Sequence, residues 1–250
     1  MPVFSVRGSI DSQGGFEISP EDLHHLTKVL RLKNGDTFEV VLPDGRKGEA
    51  RLEEIGNHLV GKILQLGAAN PERVLPLWLG VGMIRWSRLE WLVEKATELG
   101  VHRISPLHLS QGRLPKGESV SDNKIERLYK ISQETLKQCE RISAPVIDAP
   151  LSLEDFLRQV GLASGPGVEK FLFRERYHGA RFDERLFSAS TSWVFLFGPE
   201  GGFSEAELAM AESRDFESVS LGPTVLRSET AAIYACGALD MVMAKAGRLG

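Results

Sequence analysis

Val194-Phe195-Leu196-Phe197-Gly198-Pro199-Glu200-Gly201-Gly202-Phe203-Ser204-Glu205-Ala206-Glu207-Leu208 runs from a wholly apolar stretch through a glycine-containing turn into a helix start. A continuous apolar run bounded by turn residues is the pattern of a strand buried on both faces. Ser204 followed by Glu207 is a capping box, and Phe203 with Leu208 can form the hydrophobic staple that sets a helix entry. The order buried strand, glycine loop, capped helix is the repeating unit of an open parallel α/β sheet, whose ligands gather at the carboxyl ends of the strands. The plain structural reading of the loop is a turn that needs glycine for its geometry. A phosphate cradle does not fit: the spacing is neither GxGxxG nor a P-loop, and Glu200 would repel a phosphate. The loop suits a neutral or cationic ligand.

A second loop of the same kind follows: Leu221-Gly222-Pro223-Thr224-Val225-Leu226-Arg227-Ser228-Glu229-Thr230-Ala231. The polar group Arg227, Ser228, Glu229 and Thr230 interrupts an apolar region. Its plain reading is a helix cap by Ser228 or Thr230 beside a solvated Arg227–Glu229 pair. The helix beyond is rich in small residues (Ala231, Ala232, Ala235, Gly237, Ala238), which permits close helix approach or a subunit contact.

Outward from these loops, Leu75 to Val81, Phe171 to Phe173 and Val219 to Leu221 are further apolar strands. Leu89, Leu92, Val93, Ala96 and Leu99 share one helix face ended by Gly100, and Ser152 can cap a helix with Leu151 stapled to Phe156. Upstream the rhythm changes. Residues 67–74 form a linker, and residues 1–66 carry short strands and tight turns: Thr37 to Leu42, Lys47 to Glu53 and His58 to Leu64, the first two joined by Pro43-Asp44-Gly45-Arg46. One helix is embedded there, capped by Ser19 with Pro20 in its first turn, and is expected to run to about Leu32. The expectation is an α/β domain, residues 75–250, behind a small β-barrel. With 250 residues and 42% hydrophobic content the chain can bury real cores, and its net charge of −4 argues against a general polyanion-binding coat. Cys139 and Cys236 lack disulfide-framework or zinc-ligand spacing, so no metal is expected. The start does not read as a signal peptide and no stretch is long enough to span a membrane, so a cytoplasmic protein is expected.

The paired loops GPEGGFSEAEL and LGPTVLRSETAAI resemble the signature of the SPOUT methyltransferases, and in detail the RsmE family, which methylates N3 of a uridine in the 16S RNA of the small ribosomal subunit. The resemblance covers nearly the whole chain. His25-Leu26-Thr27-Lys28-Val29-Leu30-Arg31 is similar to an element of the family's PUA-like RNA-binding barrel, and Lys95-Ala96-Thr97-Glu98-Leu99-Gly100-Val101 to the helix that leads into a strand of the methyltransferase domain. Two stretches depart from the family pattern: Ser143 stands in place of an arginine in Gln138-Cys139-Glu140-Arg141-Ile142-Ser143-Ala144-Pro145, and Ser110-Gln111-Gly112-Arg113 replaces a Ser-Glu-Arg pattern.

The resemblance implies a trefoil knot around the two loops and S-adenosylmethionine held by backbone groups of Leu172, Phe173, Phe197, Gly198, Pro199, Glu200, Gly201, Gly202, Leu221, Gly222, Pro223 and Leu226. Uracil N3 carries a proton, and its loss leaves negative charge on the base; Arg227 is the candidate to stabilise that charge, with Glu229 or Glu200 to take the proton or orient the arginine. His25, Lys28, Arg31, Arg113 and Arg141 are the candidate RNA contacts, the first three set against the reading of a merely solvated helix face. The partners implied are 16S ribosomal RNA, within the small subunit, and a second copy of the chain in a homodimer. Ribose 2′-O methylation by another SPOUT enzyme and an inactive RNA-binding assembly factor are the alternatives.

Overall fold

The computed structural model describes residues 3–6, 8–42, 46–56, 58–67, 74–112, 120–139, 141, 143–163, 165, 167–183 and 192–246. They divide into two compact units, Met1–Arg73 with Leu136–Ser143, and Val74–Thr135 with Ala144–Leu249.

The first unit is built on β1 (Val3–Ser5), β2 (Gly15–Phe16), α1 (Pro20–His24), β3 (Thr37–Val41), β4 (Lys47–Ile55) and β5 (His58–Leu66). Its sheet has the order β1-β3-β4-β5-β2, with β1 parallel to β3 and the other neighbours antiparallel. Alternation explains the pairing, because Phe38 and Val40 point inward from β3, and Ala50 and Leu52 from β4, onto Phe4, Phe16 and Leu26. The turn expected at Pro43-Asp44-Gly45 lies outside the described residues. Ser19 caps α1 as expected, its Oγ accepting from the Asp22 N–H at 3.1 Å. The expected uniform helix to Leu32 is corrected: His25–Val29 form a wider turn in which the Leu30 N–H donates to the His25 carbonyl at 3.0 Å. Arg31 then adopts φ +58° and ends the helix, so it is not on one helical face with Lys28.

The second unit continues with β6 (Leu75–Gly82), α2 (Trp86–Glu98), β7 (Val101–His108), α3 (Asp122–Cys139, its last turn counted with the first unit), β8 (Val146–Ile147), β9 (Leu151–Ser152), α4 (Leu153–Ala163), β10 (Val168–Phe173), β11 (Ser192–Phe197), α5 (Glu205–Glu212), β12 (Glu217–Val219) and α6 (Ser228–Lys245). The sheet is wholly parallel, ordered β12-β10-β11-β6-β7-β8 with β9 against β7. Both faces are buried, which is why the strands read as unbroken apolar runs. Leu77, Leu79, Val81, Phe171, Phe173, Phe195 and Phe197 pack on one side with α2 and α6. Trp78, Leu172, Val194 and Leu196 pack on the other with α4 and α5.

Helix starts follow the capping chemistry. Ser204 and Glu207 form the reciprocal capping box of α5, and the Asp155 N–H donates to Ser152 Oγ at 3.0 Å at the start of α4. The strand expected at Val219 to Leu221 lies earlier, at Glu217–Val219; Ser220 instead bridges to Arg181, which frees Leu221 to leave the sheet. Cys236 is fully buried, which pushes its thiol far above the usual range and leaves it an inert small hydrophobe, as expected. Among the described residues no helix is long and apolar enough to cross a membrane.

Candidate active site

β10 lies between β11 and β12, so the loops that leave the carboxyl ends of all three strands meet at one edge of the sheet. There Phe173 and Phe197 stack with ring centroids 4.3 Å apart and form an apolar floor. Above it, residues 197–203 turn back on themselves: the Gly202 N–H donates to the Pro199 carbonyl at 2.9 Å, with Gly202 at φ +73°, a conformation that a side chain would strain. Glu207 ties this loop to the end of β7, accepting from the Ser110 N–H at 2.7 Å and the Ser110 hydroxyl at 3.1 Å besides its capping bonds to Ser204. Burial pushes the Glu207 carboxyl up, but the hydrogen bonds from Ser110 and Ser204 outweigh that and hold it below the ordinary glutamate range.

The second loop is clamped to the first. Ser228 is buried and does not cap α6; its Oγ donates to the Gly198 carbonyl at 2.7 Å. Arg227 occupies the position before the helix with an extended backbone, and its exposed guanidinium makes no ion pair among the described residues. The solvated Arg227–Glu229 pair of the plain reading is not formed. Glu229 is buried, its side chain only 8% exposed, and its partner is Arg88 of α2, with Nε 3.6 Å from Oε1. The same guanidinium bonds to Glu200 in the first loop.

Between the loops lies a cavity of about 520 Å³, within the range of small-molecule sites. Of the residues expected around a ligand, Phe173, Phe197, Gly198, Pro199, Glu200, Gly201, Gly202, Leu221, Gly222 and Leu226 line it, together with Arg227. Leu172 turns its side chain to the opposite face of the sheet, Pro223 is exposed beside the cavity, and Glu229 lies beneath it. Thr224, Val225, Ser228 and Ala231 of the second loop and the helix after it also line the cavity, as do Arg88, Arg174 and Glu175, which were not singled out in the sequence. For Arg88 no local signal existed, because a basic residue in the first turn of an amphipathic helix normally faces solvent. The lining combines phenylalanine and leucine side chains, which suit a flat apolar group, with charges of both signs, Arg88, Arg174 and Arg227 against Glu175, Glu200 and Glu205.

The candidate RNA contacts stand elsewhere. His25, Lys28 and Arg31 are exposed in the first unit, His25 with its ring edge on Phe4 at 5.6 Å; Arg141 belongs to the same unit, and Arg113 lies outside the described residues.

Residues 70–240 match the family model of an RNA methyltransferase domain, and residues 18–64 that of an RNA methyltransferase PUA domain. The chain is similar to ribosomal RNA small subunit methyltransferase E of Bacillus subtilis, 28% identical with 94% of this chain and 93% of that protein covered. It is likewise similar to the protein of that name in Synechocystis, 31% identical over 90% of this chain and 73% of that one. Among solved structures, a methyltransferase of Legionella pneumophila with its bound cofactor SAM, S-adenosylmethionine, superposes with a TM-score of 0.72 at 26% identity, covering 97% of both chains. A parallel α/β RNA methyltransferase domain that follows a PUA domain in the sequence, with two clamped loops at the sheet's carboxyl edge, is thus what this sequence encodes, and the chain belongs to the ribosomal RNA small subunit methyltransferase E family of RNA methyltransferases.

Proposed function

We propose that the chain methylates N3 of one uridine in 16S ribosomal RNA with S-adenosylmethionine as methyl donor. The observation that carries the reading is the cavity between the two clamped loops, whose aromatic floor fits an adenine and whose Glu200 fits a sulfonium. When bound there, S-adenosylmethionine supplies an electrophilic methyl group. The work left to the protein is alignment and charge. Arg227, exposed at the cavity with its guanidinium unengaged, stabilises the negative charge that spreads over the uracil carbonyls when the N3 proton leaves. Glu200, half exposed on the cavity wall, is placed to accept that proton, whereas buried Glu229 is not. The target base must be unpaired or extruded to reach this wall. Incubating the protein with labelled S-adenosylmethionine and either free 16S RNA or assembled small subunits, then digesting to nucleosides, tests the reading: N3-methyluridine is expected, and a 2′-O-methyl nucleoside or no transfer would refute it.

RNA is held by the first unit, through His25, Lys28 and Arg31 on its exposed surface and through Arg141 of the same unit. Lys28→Glu with Arg31→Glu is expected to weaken RNA binding at least tenfold at moderate salt while the cofactor titrates as in the wild type, since each lost phosphate contact also lowers the salt dependence. Equal RNA affinity in a filter-binding titration would move the interface off this face.

The protein acts as a homodimer through the outer face of α6. Tyr234 and Met241, 57% and 63% exposed, stand on that face with the half-buried Ala238 between them, an apolar stripe at helical spacing. A two-fold contact buries such a stripe against itself. Light scattering at micromolar concentration is expected to give twice the 27.6 kDa chain mass, and Met241→Glu to shift the protein towards monomer; a wild-type monomer would refute the assignment.

A further inference from the structure

Arg88 stands 112 positions before Glu200 in the chain and shares one guanidinium between two carboxylates, Glu200 on the cavity wall and Glu229 beneath it. The two acids differ in kind. Glu200 has a 53% exposed side chain and keeps water on one side, whereas Glu229 is 8% exposed and its Oε2 has no hydrogen-bond partner among the described residues. A carboxylate so buried is costly to keep charged without a cation, and Arg88 is the cation in reach. Arg88 itself is only 24% exposed and lines the cavity, so its orientation is set by the two acids and not by solvent.

We propose that Arg88 is a positioning residue of the methyl-transfer site: anchored from below by buried Glu229, it holds the Glu200 carboxylate against the cavity where the N3 proton must be received. This rests on the uridine-methylation reading above. Two consequences follow. Glu200 keeps one orientation although it sits on a loop whose glycines would otherwise let it swing. Its carboxylate also stays tied to α2 through Arg88. Among the described residues the other charges that line the same cavity are Arg227 before α6, Glu205 from the first turn of α5, and Arg174 and Glu175 after β10, and none of these pairs with Arg88.

The test uses full-length Arg88→Met, Arg88→Lys, and Arg88→Met combined with Glu229→Gln. Thermal melts of the ligand-free proteins read the anchor without any activity. Arg88→Met leaves Glu229 buried without its cation, and an uncompensated buried charge is destabilising. The Tm of Arg88→Met should therefore fall below that of the double variant, in which Glu229→Gln removes the buried charge. Single-turnover methylation, at saturating cofactor, reads the positioning. In the double variant, which folds without a buried charge, the rate should fall about tenfold or more, and Arg88→Lys should restore part of it. A rate within twofold of the wild type would overturn the proposal, as would a loss accounted for entirely by cofactor affinity in calorimetry. A wild-type protein that fails to form N3-methyluridine would instead refute the uridine reading, and the melts would still decide the anchor.

Discussion

Arg227→Ala is expected to lower the single-turnover rate by about a hundredfold or more, the effect of removing one preorganised donor from a developing anion. The geometry makes this a clean substitution. Arg227 is exposed at the cavity, precedes α6 without capping it by its side chain, and pairs with no acid among the described residues, so its removal orphans nothing. Stability should stay within about 0.5 kcal/mol of the wild type, as for surface changes away from special features. Cofactor affinity should change little, because the loops that surround the ligand are held by the Ser228–Gly198 and Glu207–Ser110 bonds and not by this side chain. Arg227→Lys should rescue only in part, since an ammonium cannot reproduce the planar fork. Single-turnover rates and calorimetric titration of the same folded proteins separate the two effects. A near-normal rate for Arg227→Ala, or a loss that vanishes at saturating cofactor, would assign the anion to another donor.

Gly82→Ala should cost the cofactor site nearly as much from the opposite direction. Gly82 ends β6, and a Cβ there would lie 2.6 Å from both Cδ and the backbone N of Pro199 and 3.0 Å from Leu109 Cδ1. A backbone nitrogen cannot swing aside as a side chain does, so the whole turn at residues 197–203 must move away from the sheet. Overpacking of this kind costs roughly 1–3 kcal/mol, a Tm lowered by several degrees for a domain of this size. Since the same turn walls the cavity, S-adenosylmethionine affinity is expected to fall at least tenfold, about 1.4 kcal/mol. Affinity within twofold of wild type in a folded Gly82→Ala protein would show that the first loop tolerates displacement and does not set cofactor binding.

Much of the scaffold was legible because its signals are short-range. The capping box at Ser204 and Glu207, the cap at Ser19, the strands β3 and β4 and the double-sided apolar runs of β6, β10 and β11 each involve residues a few positions apart, and each appears in the structure. Where a local rule failed, a distant partner had won. Ser228 reads as a helix cap, but a carbonyl thirty positions earlier offered its hydroxyl a buried acceptor. Glu229 reads as half of a solvated pair with Arg227, but the sheet carries it under the loop to Arg88. The helix after Ser19 reads as one α-helix to Leu32, but Leu26 must reach the core with Phe4 and Phe38, and the chain widens into a longer turn to place it there.

The sequence by itself determined β3 to β6, the cores of β10 and β11, the helix starts at Ser19, Ser152 and Ser204, and, through the two long loops, the family, because hydrophobic periodicity, caps and contiguous motifs are all written in neighbouring residues. Only the tertiary structure decided which charges share the site. The strand order that sets β10 between β11 and β12, and the packing of α2 and α6 on the same face, bring Arg88, Glu200 and Glu229 together across more than a hundred residues of chain. Pairings at that separation follow from which surfaces the folded chain must bury, and no local pattern encodes them.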